Sequence, residues 1–151
     1  MKSHGKPNSL KIHEVEEPTP SLGEVKVRIS HIGLNYAEIL SRKGQYSWAP
    51  KKPYIPGMEA VGEVVGLGTN VTSHKIGDKV IVGGQTGAYA SFICVPSYLA
   101  FPCLSKLTNE ENAALLVNYV TAWIAMVKIG RIQNTDVVLI HAGAGGVGKV
   151  V

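Results

Sequence analysis

Gly143-Ala144-Gly145-Gly146-Val147-Gly148 spells G-x-G-x-x-G directly after Val137 to Ile140, a short run of β-branched and aliphatic residues. After a strand, such a loop turns tightly into a helix and brings bare backbone against a pyrophosphate, with helix N–H groups and the positive end of the dipole facing the phosphates. Gly143, Gly145, Gly146, Val147 and Gly148 are therefore the candidate dinucleotide contacts. Glycine-rich strand-to-helix turns also serve purely steric ends, and the strand-like context is what favours the cofactor reading. Gly143 to Lys149 also matches the opening of a nucleotide-triphosphate loop, G-x-x-x-x-G-K. That loop needs Ser or Thr next to ligate Mg²⁺, and Val150 cannot do so.

The other chemistry-bearing side chains show no comparable pattern. Cys94 and Cys103 form no C-x-x-C pair, and His4, His13, His31 and His74 have no ligand spacing. Both cysteines fall in or beside strand-like segments and read as buried free thiols, which suits a cytoplasmic protein. The net charge of +4 comes from scattered residues, with Arg42-Lys43 and Lys51-Lys52 as isolated pairs, so nucleic-acid binding has no basic stripe behind it. No apolar run approaches the roughly 20 residues that span a bilayer, so no transmembrane segment is expected. The opening MKSHGKPNSL is polar, unlike a secretory signal. At 45% hydrophobic and 17% charged residues, the composition is that of a globular chain.

The elements that must position the glycine loop follow from periodicity. Val25, Val27 and Ile29 alternate with Lys26, Arg28 and Ser30, which predicts a half-buried antiparallel strand over Glu24–Ile32. Ala37 to Lys43 has room for one or two helical turns before a loop carrying Pro50, Pro53 and Pro56. Further strands are predicted over Glu59–Leu67, Lys79–Val82, Ala88–Val95 and Leu99–Pro102. Gly62 and Gly66 inside the first of these point to a bulge, a tight bend or a close backbone approach. Many short strands with Gly and Pro turns predict a small antiparallel barrel. Thr108-Asn109-Glu110-Glu111 then fits a capping box. The nearly all-apolar Ala113 to Ile129 predicts one buried connector helix, stopped by Gly130. A turn at Gln133 to Asp136 feeds the strand before the glycines. The division is a mainly β unit over residues 1–105, then residues 106–151 as a connector helix and the start of a second, unfinished domain.

These stretches together resemble the medium-chain dehydrogenase/reductase superfamily, in its zinc-independent quinone oxidoreductase branch. The resemblance rests on GEVKVRISHIGLNYAEILSRKGQY, PGMEAVGEVVGLGTNVTSHKIGDKV, GAYASF and HAGAGGVG, in that order along the chain. ALLVNYVTAW, Ala114–Trp123, is similar to the vesicle amine transport protein 1 type. The resemblance implies a GroES-like barrel, then a helix and the first strand and glycine loop of an α/β Rossmann domain, incomplete here. It implies NADPH, or alternatively NADH, as cofactor and a small quinone or activated enone as substrate. Asn35 and Tyr46 become the candidate catalytic residues, each able to donate a hydrogen bond to a developing oxyanion. Asn35 and Thr121 join the glycines on the cofactor side.

Zinc-dependent relatives carry cysteine and histidine where this chain has Asn35, or its neighbour, and Met58. Those replacements leave Glu59 without the partners a catalytic zinc requires, so no metal is expected. The residue that would choose between NADH and NADPH lies about 20 positions beyond the glycines, past Val151. This stretch is accordingly expected to be inactive alone, with a homodimer expected only of a longer protein. A non-catalytic trafficking or adaptor protein of the same fold is the alternative. Several residues also have plain structural roles open to them. Glu59 would satisfy local donors, Thr121 would bond its own helix, His141 would close a strand, and Trp123, Ile124 and Met126 would be core.

Overall fold

The computed structural model describes residues 1–151. Five strands form one antiparallel sheet in the order β4-β1-β2-β3-β5. They are β1 (Glu24–Ile32), β2 (Glu59–Leu67), β3 (Lys79–Gly83), β4 (Phe92–Pro96) and β5 (Ala100–Pro102). Val25 and Val27 are fully buried and Arg28 and Ser30 are exposed, as the period of two requires. The fourth strand starts at Phe92 and not Ala88, and Ser97–Leu99 forms a 3₁₀ turn ahead of a shorter fifth strand. The sheet is an open half-barrel, with β4 and β5 as unpaired edges, where a small barrel was expected.

One side of the sheet holds the main core, with Val25, Val27, Ala60, Val64, Val80, Val82 and Val95 in one cluster. β1 and β2 change register twice, between Lys26 and Val27 and between Ile29 and His31. Gly62 sits opposite Ile29, where an added Cβ would lie 2.2 Å from the Arg28 carbonyl oxygen. The glycine thus serves a close backbone approach beside a bulge.

The other face of the sheet is covered only near the start of β2, where Val61 and Ile81 pack against Ala113, with Leu115 and Leu116 around them. The cover comes from α2 (Asn109–Ala113) and α3 (Leu116–Trp123). Thr108 and Glu111 form the expected reciprocal cap: Glu111 N–H donates to Thr108 Oγ1 at 3.2 Å, and Thr108 N–H to the Glu111 carboxylate at 2.8 Å. Asn112 is buried beside it and ties the preceding loop down, donating to the carbonyls of Leu104, Leu107 and Thr108 while accepting from Leu104 N–H.

The continuous buried helix expected over Ala113–Ile129 is interrupted and only partly buried. Val117 N–H donates to the Glu59 carboxylate, 2.8 Å away, and not to the Ala113 carbonyl four residues back. The helical ladder breaks there, and the segment ends in a π-helical turn over Ile124–Ile129. Tyr119, Val120, Trp123 and Val127 lie exposed, because no second layer within these residues covers that side.

The strand expected at Val137–Ile140 is likewise not formed. It pairs with nothing, and Val137 is fully exposed. Strand-forming residues do not hold a ladder without a neighbouring strand. No helix is long and apolar enough to cross a membrane.

Candidate functional site

Asn35 caps the short helix α1 (Tyr36–Lys43) at the end of β1. Its backbone N–H donates to Glu38 Oε2 at 2.8 Å, and its side-chain Nδ2 donates to Glu59 Oε1 at 3.0 Å. The amide expected to meet a substrate oxyanion is therefore already committed through one N–H. Gly44, in the left-handed region at φ 77°, closes α1 and leads to Tyr46.

Glu38 is the hub that periodicity did not single out. Besides Asn35, its carboxylate accepts Met58 N–H at 2.9 Å and the Tyr89 hydroxyl at 2.8 Å. It thereby draws α1, the loop before β2 and the loop before β4 to one point. Burial pushes the Tyr89 phenol well above its ordinary range, and the Glu38 charge pushes it further, so Tyr89 stays protonated as a donor. Glu38, Ser41, Tyr46, Trp48, Tyr54 and Met58 line a small cleft beside this hub. Burial also raises the Tyr54 phenol, against the pull of the neighbouring Ser41 hydroxyl. Tyr46 thus shares a cleft with Glu38, while Asn35 does not line it.

Glu59 is buried to 1% exposure. Its two oxygens take the Asn35 amide and Val117 N–H, the structural role expected of it. Burial raises its pKa most, the hydrogen bonds from Val117 and Asn35 pull it back, and the neighbouring Glu38 charge raises it again. The folded protein accordingly keeps this proton to higher pH than the unfolded chain. Stability linked to Glu59 is fully present below the unfolded pKa of about 4.3 and is lost as pH rises through the raised folded value. Glu59→Gln should remove this slope from the stability–pH curve above about pH 4.3. Urea unfolding across that range checks it, and an unchanged slope would refute the assignment.

The glycine turn lies against α3. An added Cβ at Gly146 would fall 2.6 Å from Asn118 Oδ1, and one at Gly148 would fall 2.6 Å from Gly143 Cα. The turn is folded tightly on itself, with Gly145 N–H donating to the Ala142 carbonyl at 2.8 Å. Only a 3₁₀ turn, Gly148–Val150, follows it. Val147 and Gly148 are half-buried, whereas Gly143, Gly145 and Gly146 are exposed, as is Thr121 on α3. The turn has no paired strand before it and only the three-residue 3₁₀ turn after it. Cys94 and Cys103 are free and half-buried, and burial raises both thiols, so neither is poised as a nucleophile. No three His, Cys, Asp or Glu side chains gather in a metal-holding group.

A family profile described as the alcohol dehydrogenase GroES-like domain matches residues 21–106. The human synaptic vesicle membrane protein VAT-1 homolog is 40% identical over 131 residues, covering 87% of this chain and 33% of that protein. Among solved structures, the human VAT-1 homolog-like protein superposes with a TM-score of 0.93 at 32% identity, over 98% of this chain and 48% of that one. The quinone oxidoreductase from Thermus thermophilus, solved also in complex with NADPH, gives 0.84 at 33% identity, over 99% and 46%. The chain spans about a third of the length of the curated VAT-1 homolog relatives it matches.

Proposed function

The chain belongs to the alcohol dehydrogenase GroES-like family, within the medium-chain dehydrogenase/reductase superfamily, and we propose that it is the substrate-side part of a zinc-independent, NADPH-dependent reductase of quinones or activated enones. The observation that carries this reading is the cleft holding Tyr46 beside the Asn35–Glu38–Glu59 network, on a fold shared with a quinone oxidoreductase solved with NADPH. NADH is the alternative cofactor. The nicotinamide cofactor supplies the hydride when bound, so the residues here position, polarise and exclude water. Tyr46 is the donor to the developing oxyanion, the Glu38 hub holds the cleft walls together, and Asn35 has one remaining amide N–H to offer. Gly143, Gly145, Gly146, Val147 and Gly148, with Thr121, form the cofactor end.

Both Glu59 oxygens are taken by protein donors and Met58 offers only a thioether, which is a poor donor set for zinc. Elemental analysis of the purified protein should find no stoichiometric zinc, and one zinc per chain would overturn this part of the reading. The 151 residues alone supply no paired strand before the glycine turn and no helix after it. We expect them neither to bind NADPH tightly nor to turn over.

The test is quinone-dependent NADPH oxidation by the whole protein that carries this chain. Tyr46→Phe should lower kcat and kcat/KM together by about tenfold. Unchanged kinetics would return Tyr46 to a structural role. The second reading, a non-catalytic trafficking or adaptor protein, is favoured by the similarity to the human synaptic vesicle membrane protein VAT-1 homolog. Absence of any turnover by the whole protein, with NADPH or NADH, would select it.

A further inference from the structure

We infer that Glu59 is a positioning residue that couples the substrate side of the site to the glycine turn, through helix α3. The inference rests on the proposed roles of Asn35 and of the glycines, and it adds a mechanical link between them. One oxygen of the carboxylate accepts the Asn35 amide at 3.0 Å, and the other accepts Val117 N–H at 2.8 Å, in the first turn of α3. A carboxylate is planar and rigid, so a displacement felt at one oxygen is carried to the other.

The side chain has little room to absorb such a displacement. The space a Cβ would need at Gly33 is filled by Glu59 Cγ and Oε1, at 2.4 and 2.5 Å, and by the Ala113 carbonyl at 2.4 Å. Leu116 closes the same junction, filling the space over Gly83. Burial removes water as a competing partner for either oxygen.

The far end of the link is equally short. Asn118, one residue beyond Val117, donates from Nδ2 to the Ala114 carbonyl at 2.8 Å, which fixes its side chain to the helix. That side chain is packed on Gly146, where a Cβ would fall between 2.6 and 2.9 Å from its three terminal atoms. Asn35, Glu59, Val117, Asn118 and Gly146 are therefore one continuous chain of contacts. Glu59 itself is out of reach of substrate and has no free oxygen for acid–base work. Coupling, and not proton transfer, is the function its geometry allows.

Continuity alone is not coupling, and a double-mutant comparison decides between them. Amide spectra of the ¹⁵N-labelled chain, recorded without any dinucleotide, provide the readout. Asn35→Ala should shift the Val117 and Gly146 amides while leaving β4 unmoved. In a Glu59→Gln background the same substitution should no longer shift Gly146. Should Glu59→Gln fail to fold, Asn118→Ala gives the second arm: Asn35→Ala then still shifts Val117 but not Gly146. A Gly146 shift that persists in either background, or is absent with native Glu59, would overturn the coupling. Because no cofactor is added, failure of NADPH binding bears on the proposed function and not on this link.

Discussion

Glu59→Ala should lower the unfolding free energy by about 3 kcal/mol, the largest loss expected from any side-chain truncation near the site. The substitution leaves Val117 N–H and an Asn35 amide N–H facing a void. Each buried donor left unpaired costs about 1–3 kcal/mol, and the void adds to it. The break between α2 and α3 exists because Glu59 replaces the Ala113 carbonyl as the partner of Val117. Without that carboxylate, the helical segment has no reason to stop there. Glu63→Ala, on the same strand, is the control. Its carboxylate makes an exposed ion pair with Arg28 at 3.3 Å, worth at most about 1 kcal/mol. Urea unfolding of the two variants should separate them clearly, and equal midpoints would remove Glu59 from the structural account.

Gly62→Ala should cost about 3 kcal/mol, whereas Gly66→Ala, in the same strand, should stay within about 1 kcal/mol of the parent. At Gly62 a Cβ would meet the Arg28 carbonyl oxygen at 2.2 Å and Val27 Cγ1 at 2.6 Å. Backbone on the paired strand cannot retreat without breaking the β1–β2 ladder. At Gly66 the nearest atoms are Lys26 Cβ at 3.2 Å and Lys26 Cδ and Pro20 Cγ at 3.5 Å, so the neighbours need give only a few tenths of an ångström. Alanine there also reduces the freedom of the unfolded chain, which offsets the crowding. Thermal unfolding of the pair gives the comparison. Similar losses at both positions would mean that strand propensity, and not the close approach, sets the cost.

What the sequence made legible was local. The alternation of Val25, Val27 and Ile29, the reciprocal cap of Thr108 and Glu111, and the turn at Gln133–Asp136 each depend on residues a few positions apart. The donor-satisfying role of Glu59 is legible too, because Met58 and Asn35 beside it are poor zinc ligands, and its oxygens do accept Asn35 and Val117. The role of Glu38 was not legible, because its donors arrive from Met58 and from Tyr89, 20 and 51 residues along the chain. Asn112 escaped for a related reason: only the folded loop brings the Leu104 and Leu107 carbonyls to it. The exposure of the two misplaced elements shares one cause, although the break in the helix comes from Glu59. Apolar residues at Val137–Ile140 and on the outer side of α3 state a preference for burial, but burial needs a partner surface, and none covers them here.

The strand order has a kinetic corollary. β2 and β3 are joined by residues 68–78 and pair directly, and β5 pairs with β3 at modest sequence distance, Ala100 lying 18 residues beyond its partner Val82. β4 instead crosses the whole sheet to pair with β1, setting Val25 against Val95. Such a non-local pairing bears most of the loop-closure entropy and slows folding relative to the local hairpin. The β2–β3 hairpin should therefore acquire amide protection first during refolding. The Phe92–Pro96 strand should dock late.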